Sequence, residues 1–582
     1  MTPFVQYKPW MIERYGDALF RVPVQLASSC PHGRCTFCSE NGAKAQQTQR
    51  QESPVEQIEA AIQFSKRRYK AQKLLLYIQA FTADLTDPAQ QELILQCLKN
   101  YQFEAVSIGT RPDCLPTAAL RFLEALKTPA EDSGPTKQCR PGVPTRREVW
   151  VELGVQTANN ETLKLINRGH DWECSKQAIL ALAERGIHVA PHVIIGLPGE
   201  TADDWNRTAE ELAKLPIAGI KIHNLHIAKG TELAKNPPPV LSHWEYAEAL
   251  IDFLRRIPAE LPVLRISTDT PDDELIAPHW HLEKGQFLDY VVQQMTMREI
   301  SQGDLWNDGI KEQWKNEKST IPPVITDDGS ITFFSEDWKE HYHTKTGARL
   351  EARQKFVVPS GLAEKLVTGD VKLLDVCFGL GNNSLAALCD ATGASHPLSI
   401  TALEMDKRVV RAAAECFQTL ETDPVNWREV LKQLCTDATY HLPLATLNLF
   451  WGDARWLIQG LEDESFDVVF HDPFSSQHCP ELWTVEFFQQ LYRIMKPDGV
   501  LLTYSSSLPV RGAMREAGFE IGETHPGHQM GNGTIATKNK TALTGFPMIG
   551  ILDERRSIPY RDLYLCAPAK TILRNRQEAI MR

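Results

Sequence analysis

The chain has 582 residues, a formal net charge of −12, 42% hydrophobic residues and 23% charged residues. That length predicts two to four domains and that balance a globular protein, while the acidic excess argues against wholesale coating of nucleic acid and leaves room only for a local basic grip on an RNA. No apolar run is long enough to span a bilayer, residues 1–7 lack the basic patch and apolar core of a signal peptide, and the 13 cysteines lie singly outside one cluster, which predicts a reducing, cytoplasmic compartment and no membrane rather than a disulfide framework.

Six short β-rich runs occupy the first half: Leu19–Leu26, Lys73–Gln79, Ala105–Gly109, Val149–Gln156, His188–Gly196 and Gly219–Ile227. Amphipathic stretches alternate with them, among them Pro54–Tyr69, Pro88–Asn100, Thr117–Leu126, Asn160–Ile166, Ser175–Arg185 and Thr201–Leu215. Strands alternating with helices predict a parallel α/β sheet, open or curled into a partial barrel, with ligands at the C-terminal ends of the strands. The basic stretch Lys66–Lys70 reads as a solvated helix face or as an RNA contact.

After the first strand comes Cys30-Pro-His-Gly-Arg-Cys35-Thr-Phe-Cys38. Three thiolates here can hold three irons of a [4Fe–4S] cluster, leaving the fourth iron open to S-adenosylmethionine (SAM). The alternatives are a zinc site with His32 as a fourth ligand, or three incidental cysteines. The other strands also end in polar residues. Gln79 follows the second strand, Arg111 the third, and Arg168 lies after the fourth. Alternation puts Glu152, Gly154 and Gln156 on one face of the fourth strand. A buried carboxylate at Glu152 needs a cationic partner, which the ammonium of SAM could supply, and Arg111 or Arg168 could bind a carboxylate bidentately. His192, His223, His226 and Gly196–Glu200 have bland readings one by one, as core histidines and a turn.

Together the cysteine stretch, Tyr77–Thr82, Ser107–Leu115, Val149–Gln156, Ile166–His170, Gly196–Glu200, Ile222–Thr231 and Asp269–Lys284 resemble the bacterial radical-SAM proteins related to the catalytic subunit of Elongator, over residues 12 to 300. The resemblance implies a radical-SAM partial (β/α)6 barrel, a [4Fe–4S] cluster on Cys30, Cys35 and Cys38, and cleavage of SAM to a 5′-deoxyadenosyl radical. The first cysteine gap is four residues, where the generic radical-SAM spacing has three. We expect the radical-SAM domain over 1–305, a linker over 306–322 and a second domain over 323–582, with Thr128–Arg147 an exposed loop inside the first.

In the second half, Leu373–Val376 is an apolar strand that runs through Gly379 and Gly381 into a helix, so the backbone can approach a nucleotide. Asp375 lies at the end of that strand, and Glu404 ends the next, placed to bind ribose hydroxyls. Asp453 follows a third strand and can meet an adenine amino group, and Asp472 follows a fourth, at the expected reaction centre. Ser384 stands where a dinucleotide site would have its third glycine, which favours SAM over NAD. Asp328–Thr332, His341–Ala348, Asp472-Pro-Phe, Pro480–Trp483 and Tyr504–Arg511 resemble the methyltransferase family that completes 5-methylaminomethyl-uridine at the tRNA wobble position, and the resemblance implies a Rossmann-like SAM-dependent domain. In that family the acid at the position of Asp472 faces the acceptor amine. Trp483, His341 and His343 also have purely structural readings.

A fusion of two SAM-using halves predicts consecutive steps on one wobble uridine. The first would remove the carboxymethyl group of 5-carboxymethylaminomethyl-uridine, by hydrogen abstraction beside nitrogen, loss of an electron and hydrolysis of an imine. The second would methylate the amine left behind. This implies two SAM sites, tRNA (its anticodon stem-loop) as partner, and an electron donor such as flavodoxin or ferredoxin. Two other readings stand beside it: a methyltransferase whose radical half only binds tRNA, and a radical enzyme acting on a small molecule or a tetrapyrrole.

Overall fold

The structure is a computed structural model that describes residues 2–26, 30, 32–39, 53–79, 82, 84–127, 147–268, 270–306, 321–417, 423–524 and 532–581. The expected loop Thr128–Arg147 and the linker 306–322 lie almost wholly outside these residues, as do four positions of the quoted motifs, 31, 80, 81 and 269. The chain divides into two compact units, Met1–Trp280 with Ile300–Glu312, and His281–Glu299 with Gln313–Arg582.

The first unit is built on seven parallel strands: β1 Leu19–Val24, β2 Lys73–Ile78, β3 Ala105–Thr110, β4 Glu148–Gln156, β5 His188–Ile195, β6 Ile220–Asn224 and β7 Val263–Arg265. They lie side by side in chain order. The first six coincide with the expected runs. The seventh has three residues, too few for an alternation to register. Helices between strands start where the sequence provides caps: Ser53 and Glu56 form a reciprocal capping box, as do Ser242 and Glu245, while Asp87 and Asn159 accept from the next turn. Lys66, Arg67 and Arg68 form the exposed last turn of their helix, where cations complement the helix dipole.

The sheet curls. Tyr77 on β2 and Lys221 on β6 approach to 3.2 Å although three strands lie between them in the sheet. A helix over Tyr7–Tyr15 closes the end at which the strands begin. Its Trp10 meets the ring of Trp150 edge-on at 5.8 Å, and Met11 packs with Leu19, Leu75, Ala105 and Ala190. The opposite end, where β1 runs out toward the cysteines, is left for a ligand.

The second unit is built on an eight-stranded sheet: β8 Val371–Val376, β9 Leu398–Glu404, β10 Thr439–Leu442, β11 Ala445–Trp451, β12 Phe466–His471, β13 Met495–Thr503, β14 Glu520–Thr524 and β15 Gly533–Thr537. Their order is β10-β11-β9-β8-β12-β13-β15-β14. β8, β9, β11, β12 and β13 run parallel, and β10, β15 and their neighbours pair antiparallel. The order reverses between β8 and β12, so a crevice opens at their C-terminal ends. Apolar layers cover both faces, with Phe356, Leu388 and Val410 on one and Trp483, Phe487 and Phe488 on the other. The helix Lys284–Met297 counts with this unit, through Gln294 to Met405 and, just beyond its end, Glu299 to Arg411.

Candidate active sites

In the first unit the cysteine loop is fixed by backbone contacts. The Thr36 amide donates to Ile166 O at 3.0 Å, Leu233 N donates to Thr36 O at 3.0 Å, and Asn167 Nδ2 donates to Arg34 O at 2.9 Å. These bonds bring the 166–170 loop beside the cysteines. The His32 ring packs on Gly169, where any Cβ would collide with it. His32 thus fills the loop rather than standing as a fourth ligand with the thiols.

Cys35 is buried and sits beside two cations, Arg168 Nη1 at 3.3 Å and Arg111 Nη1 at 3.9 Å. Arg168 Nη2 donates to Gly154 O at 2.5 Å, and Arg111 forks onto Asp113 at 2.8 and 2.7 Å while donating to Arg168 O at 2.6 Å. Both guanidiniums are therefore committed to the protein and to Cys35. Arg111 thus grips a carboxylate bidentately, that of Asp113, while Arg168 is held by a backbone carbonyl and a thiol. Gly154 lacks a side chain because Arg168 occupies the space a Cβ would need.

Burial pushes the Cys38 thiol up to about 11, and the nearby Cys35 and Cys30 add to the effect, so the three sulfurs feel one another's charge. Among the described residues no three His, Cys, Asp or Glu groups converge as they would on a single ion. A four-iron cluster spreads its thiolates over separate irons, and the two arginines offset thiolate charge, so the residues fit such a cluster. Gln79 follows β2, its amide bonded to Val24 O at 3.1 Å, and Gln156 ends β4, buried, with φ at 75°.

Glu152 lies deeper in the barrel, and its partners come from the chain itself. One oxygen takes hydrogen bonds from Tyr77 Oη at 2.6 Å, Lys221 Nζ at 2.8 Å and His192 Nε2 at 2.9 Å; the other faces Arg21 at 3.0 Å. The cation that this buried carboxylate requires is thus supplied by Lys221 and Arg21. Burial works to raise its pKa, but the cations win and hold Glu152 well below the usual carboxylate range. Neither Arg21 nor Lys221 was singled out from sequence. The available signal was a charge in the middle of an otherwise apolar strand.

In the second unit a cavity of about 420 Å³ opens at the switch point, lined by Tyr342, Gly379, Glu404, Asp453, Asp472 and Tyr504 among others. The turn after β8 carries positive φ at Cys377 (69°), Gly379 (55°) and Gly381 (85°). Gly381 then opens the helix Asn382–Ala391. Glycine is required at 381, since a Cβ there would enter the Phe378 ring. Glu404 takes amide hydrogens from Gly379 at 2.7 Å, Met405 at 2.8 Å and Asp406 at 2.6 Å, yet burial still lifts its pKa to about 7.

Asp375 is fully buried and accepts from Ser384 Oγ at 2.6 Å. It therefore holds the glycine turn to the helix from behind and does not line the cavity. That bond also explains the hydroxyl at the third glycine position. Asp453 lines the cavity, but its carboxylate is forked onto Arg455 at 3.1 and 2.8 Å rather than left free for an adenine. Asp472 sits at the end of β12 with its amide on Val376 O of β8 at 3.2 Å, and Asn383 Nδ2 donates to its Oδ2 at 2.8 Å. Burial raises Asp472 well above the usual carboxylate range. Trp483 is a core residue whose Nε1 donates to Phe474 O at 2.7 Å, His341 belongs to a short hairpin with Phe334, and His343 reaches Asn382 at 3.3 Å.

Comparison with known proteins decides between the families that such sites allow. Residues 144–212 match the Radical SAM superfamily, 217–297 the Radical_SAM C-terminal domain, and 418–539 an S-adenosyl-L-methionine-dependent methyltransferase family. YtqA of Bacillus subtilis is 33% identical over 304 residues, covering 50% of this chain and 89% of YtqA. The chain belongs, through its first half, to the YtqA family of radical-SAM proteins. Its second half is a SAM-dependent methyltransferase domain, so the protein is an enzyme that uses SAM, and its radical-SAM half implies a [4Fe–4S] cluster. That second half is similar to the tRNA 5-methylaminomethyl-2-thiouridine biosynthesis bifunctional protein MnmC of Aromatoleum aromaticum, 32% identical over 219 residues, 35% of this chain and 33% of that protein. Among solved structures, the archaeal Methanocaldococcus infernus Elp3 covers 54% of this chain and 73% of its own at 17% identity and a TM-score of 0.37. No described helix is long and apolar enough to cross a membrane.

Proposed function

We propose that this protein is a bifunctional tRNA modification enzyme acting on the wobble uridine. The radical-SAM half removes the carboxymethyl group of 5-carboxymethylaminomethyl-uridine, and the methyltransferase half converts the resulting 5-aminomethyl-uridine to 5-methylaminomethyl-uridine. The observation that carries the reading is the pairing, in one chain, of a radical-SAM half with a methyltransferase half similar to MnmC, whose name concerns 5-methylaminomethyl-2-thiouridine.

Cys30, Cys35 and Cys38 would hold the cluster, which together with SAM supplies radical chemistry able to break an unactivated C–H bond. Arg168 and Arg111 steady the charge at Cys35. In the second site the acceptor is a primary amine with a pKa near ~10, and as an ammonium it has no lone pair. Asp472 is placed to take its proton. Burial raises Asp472 above the usual carboxylate range, and an ammonium brought beside it favours the ionised form; once its own proton has left to solvent, the carboxylate can accept the ammonium proton and free the nitrogen lone pair. Asn383 fixes the carboxyl's orientation, and Trp338, Tyr342 and Phe474 form a ring cluster, with centroids 5.1 and 4.8 Å apart, against which a base could stack. Each half would bind its own SAM, and a flavodoxin or ferredoxin would supply electrons to the first.

Nucleoside mass spectrometry on tRNA from a deletion strain tests the reading. Carboxymethylaminomethyl-uridine should accumulate and methylaminomethyl-uridine should disappear. Unchanged wobble nucleosides would overturn it.

A further inference from the structure

The layer around Glu152 holds more positive charge than that carboxylate needs. Arg21, Lys221 and Arg265 face one another inside the first unit, and among the described residues Glu152 is the one acid acting on Lys221. Arg265, at the end of β7, acts on Tyr77 of β2 and on Lys221 and His223 of β6, and has no ion-pair partner among the described residues. His223 stacks on His192 at 5.6 Å, its Nδ1 meets Thr268 Oγ1 at 3.3 Å, and its Nε2 is buried with no hydrogen-bond partner. The layer is sealed below by the aromatic floor of Trp10 and Trp150. It is not closed off altogether: the side chains of Arg21 and His192 keep 24% and 23% of their surface exposed, against 1% for Glu152 and 5% for Lys221.

Three cations against one carboxylate in a partly desolvated pocket repel one another. Burial, aided by Arg265 and Arg21, brings Lys221 down to about 7 despite Glu152. A second anion would relieve that repulsion, and Arg265 offers the donors to receive it; the Thr268 hydroxyl donates to Asn224 O at 2.7 Å, so the ring proton of His223 sits on Nδ1 and its Nε2 becomes a donor only when an incoming anion draws a second proton onto the ring. Water alone leaves the repulsion in place.

We propose that this layer is a carboxylate-binding site, in which Arg265, Lys221 and His223 receive the carboxylate of a substrate that enters from the open end of the barrel. The identity of that carboxylate, the carboxymethylamino arm of the modified uridine, rests on the function proposed above. With the arm's carboxylate anchored at this depth, its C–H bonds would point back toward the cysteine end. The site would then reject a uridine whose arm has already lost the group.

Calorimetry on the full chain with its cluster reconstituted, using free 5-carboxymethylaminomethyl-uridine and its methyl ester, tests the site. We expect the acid to bind about tenfold or more tightly than the ester, as befits one charge-assisted contact. Arg265→Gln should erase that preference and Arg265→Lys should keep most of it. A nucleobase-free probe, N-ethylglycinate, is titrated in parallel while the histidine imidazole NMR signals are followed. If neither nucleoside binds but the probe shifts histidine signals in the parent and not in Arg265→Gln, the carboxylate site stands and the uridine substrate falls. If the parent treats acid and ester alike and the probe shifts no histidine, the site is refuted. It is refuted equally if Arg265→Gln and Lys221→Met both leave the preference intact.

Discussion

Lys221, near the start of the sixth strand, places its ammonium nitrogen 2.8 Å from a carboxylate oxygen of Glu152 on the fourth strand, and both are nearly sealed from solvent. The bond spans the curled interior and ties together strands that the chain makes about 70 residues apart. Removing one member of a buried ion pair leaves the other charge without compensation. We therefore expect Glu152→Gln, which strands Lys221 and Arg21 together, to destabilise the first unit by about 3–5 kcal/mol. Urea denaturation followed by tryptophan fluorescence would show it, with Trp150 as a reporter beside the site. A midpoint unchanged from the parent would mean that the network is solvated and soft.

Gly154 and Arg168 make a second expectation. A methyl group at 154 would occupy the position of Arg168 Nη2, and Nη1 of the same guanidinium carries the contact to Cys35. Gly154→Ala should displace the guanidinium and lower the iron content after anaerobic reconstitution, and Arg168→Gln should do the same without a steric change. Iron and sulfide assays together with the electron paramagnetic resonance of the reduced protein report on both. Full iron loading in both variants would show that Cys35 does not need that cation.

The methyl-transfer site can be separated from SAM binding. Asp472→Asn keeps the hydrogen-bonding shape beside Asn383 but cannot take a proton. Methylation of 5-aminomethyl-uridine in tRNA should fall by about 10²–10⁴-fold, the usual weight of a general base, while SAM affinity stays within about twofold. A rate that recovers as pH rises past the amine's own pKa would identify the lost function as proton removal.

Asp375 gives a pH dependence of stability. Burial raises it from 3.8 to about 7, against the bond from Ser384. A raised carboxyl favours the folded state while it stays protonated. That contribution is whole below the unfolded value, falls as pH climbs from about 4 toward 7, and is gone above the folded value. Glu404, raised from 4.5 to about 7 by burial, acts in the same direction. Asp375→Asn has no charge to bury, so the melting temperature of the second unit should fall less steeply between pH 5 and pH 7.5 than in the parent, by a few °C. Parallel curves for the two proteins would contradict the assignment.

Much of both folds was legible because it is local. Alternation and apolar runs marked β1 to β6, and the switch from strand to glycine turn to helix marked Leu373–Ala391, since each rests on neighbours within a few residues. The acids at strand ends were legible too, as Glu404 and Asp472 stand where the crevice forms. Their partners were not. The sequence alone does not pair Asp453 with Arg455, Arg111 with Asp113, or Arg168 with Gly154 O and Cys35. Ser384 reads as a mere absence of glycine until its hydroxyl meets Asp375.

The sequence by itself determined the two α/β units, the three-cysteine loop and the acids that end the strands of the second, because backbone periodicity and turn chemistry are short-range. Only the tertiary structure decided which charges are spent and which remain open. Curling the sheet brings Arg21, Tyr77, Glu152, Lys221 and Arg265 into one interior, and a charge is free or satisfied according to what long-range folding sets beside it. The same holds for Cys30–Cys38. Spacing named three thiols, while the placement of Arg168 at Cys35 and of His32 on Gly169 depends on a loop more than 130 residues further along the chain.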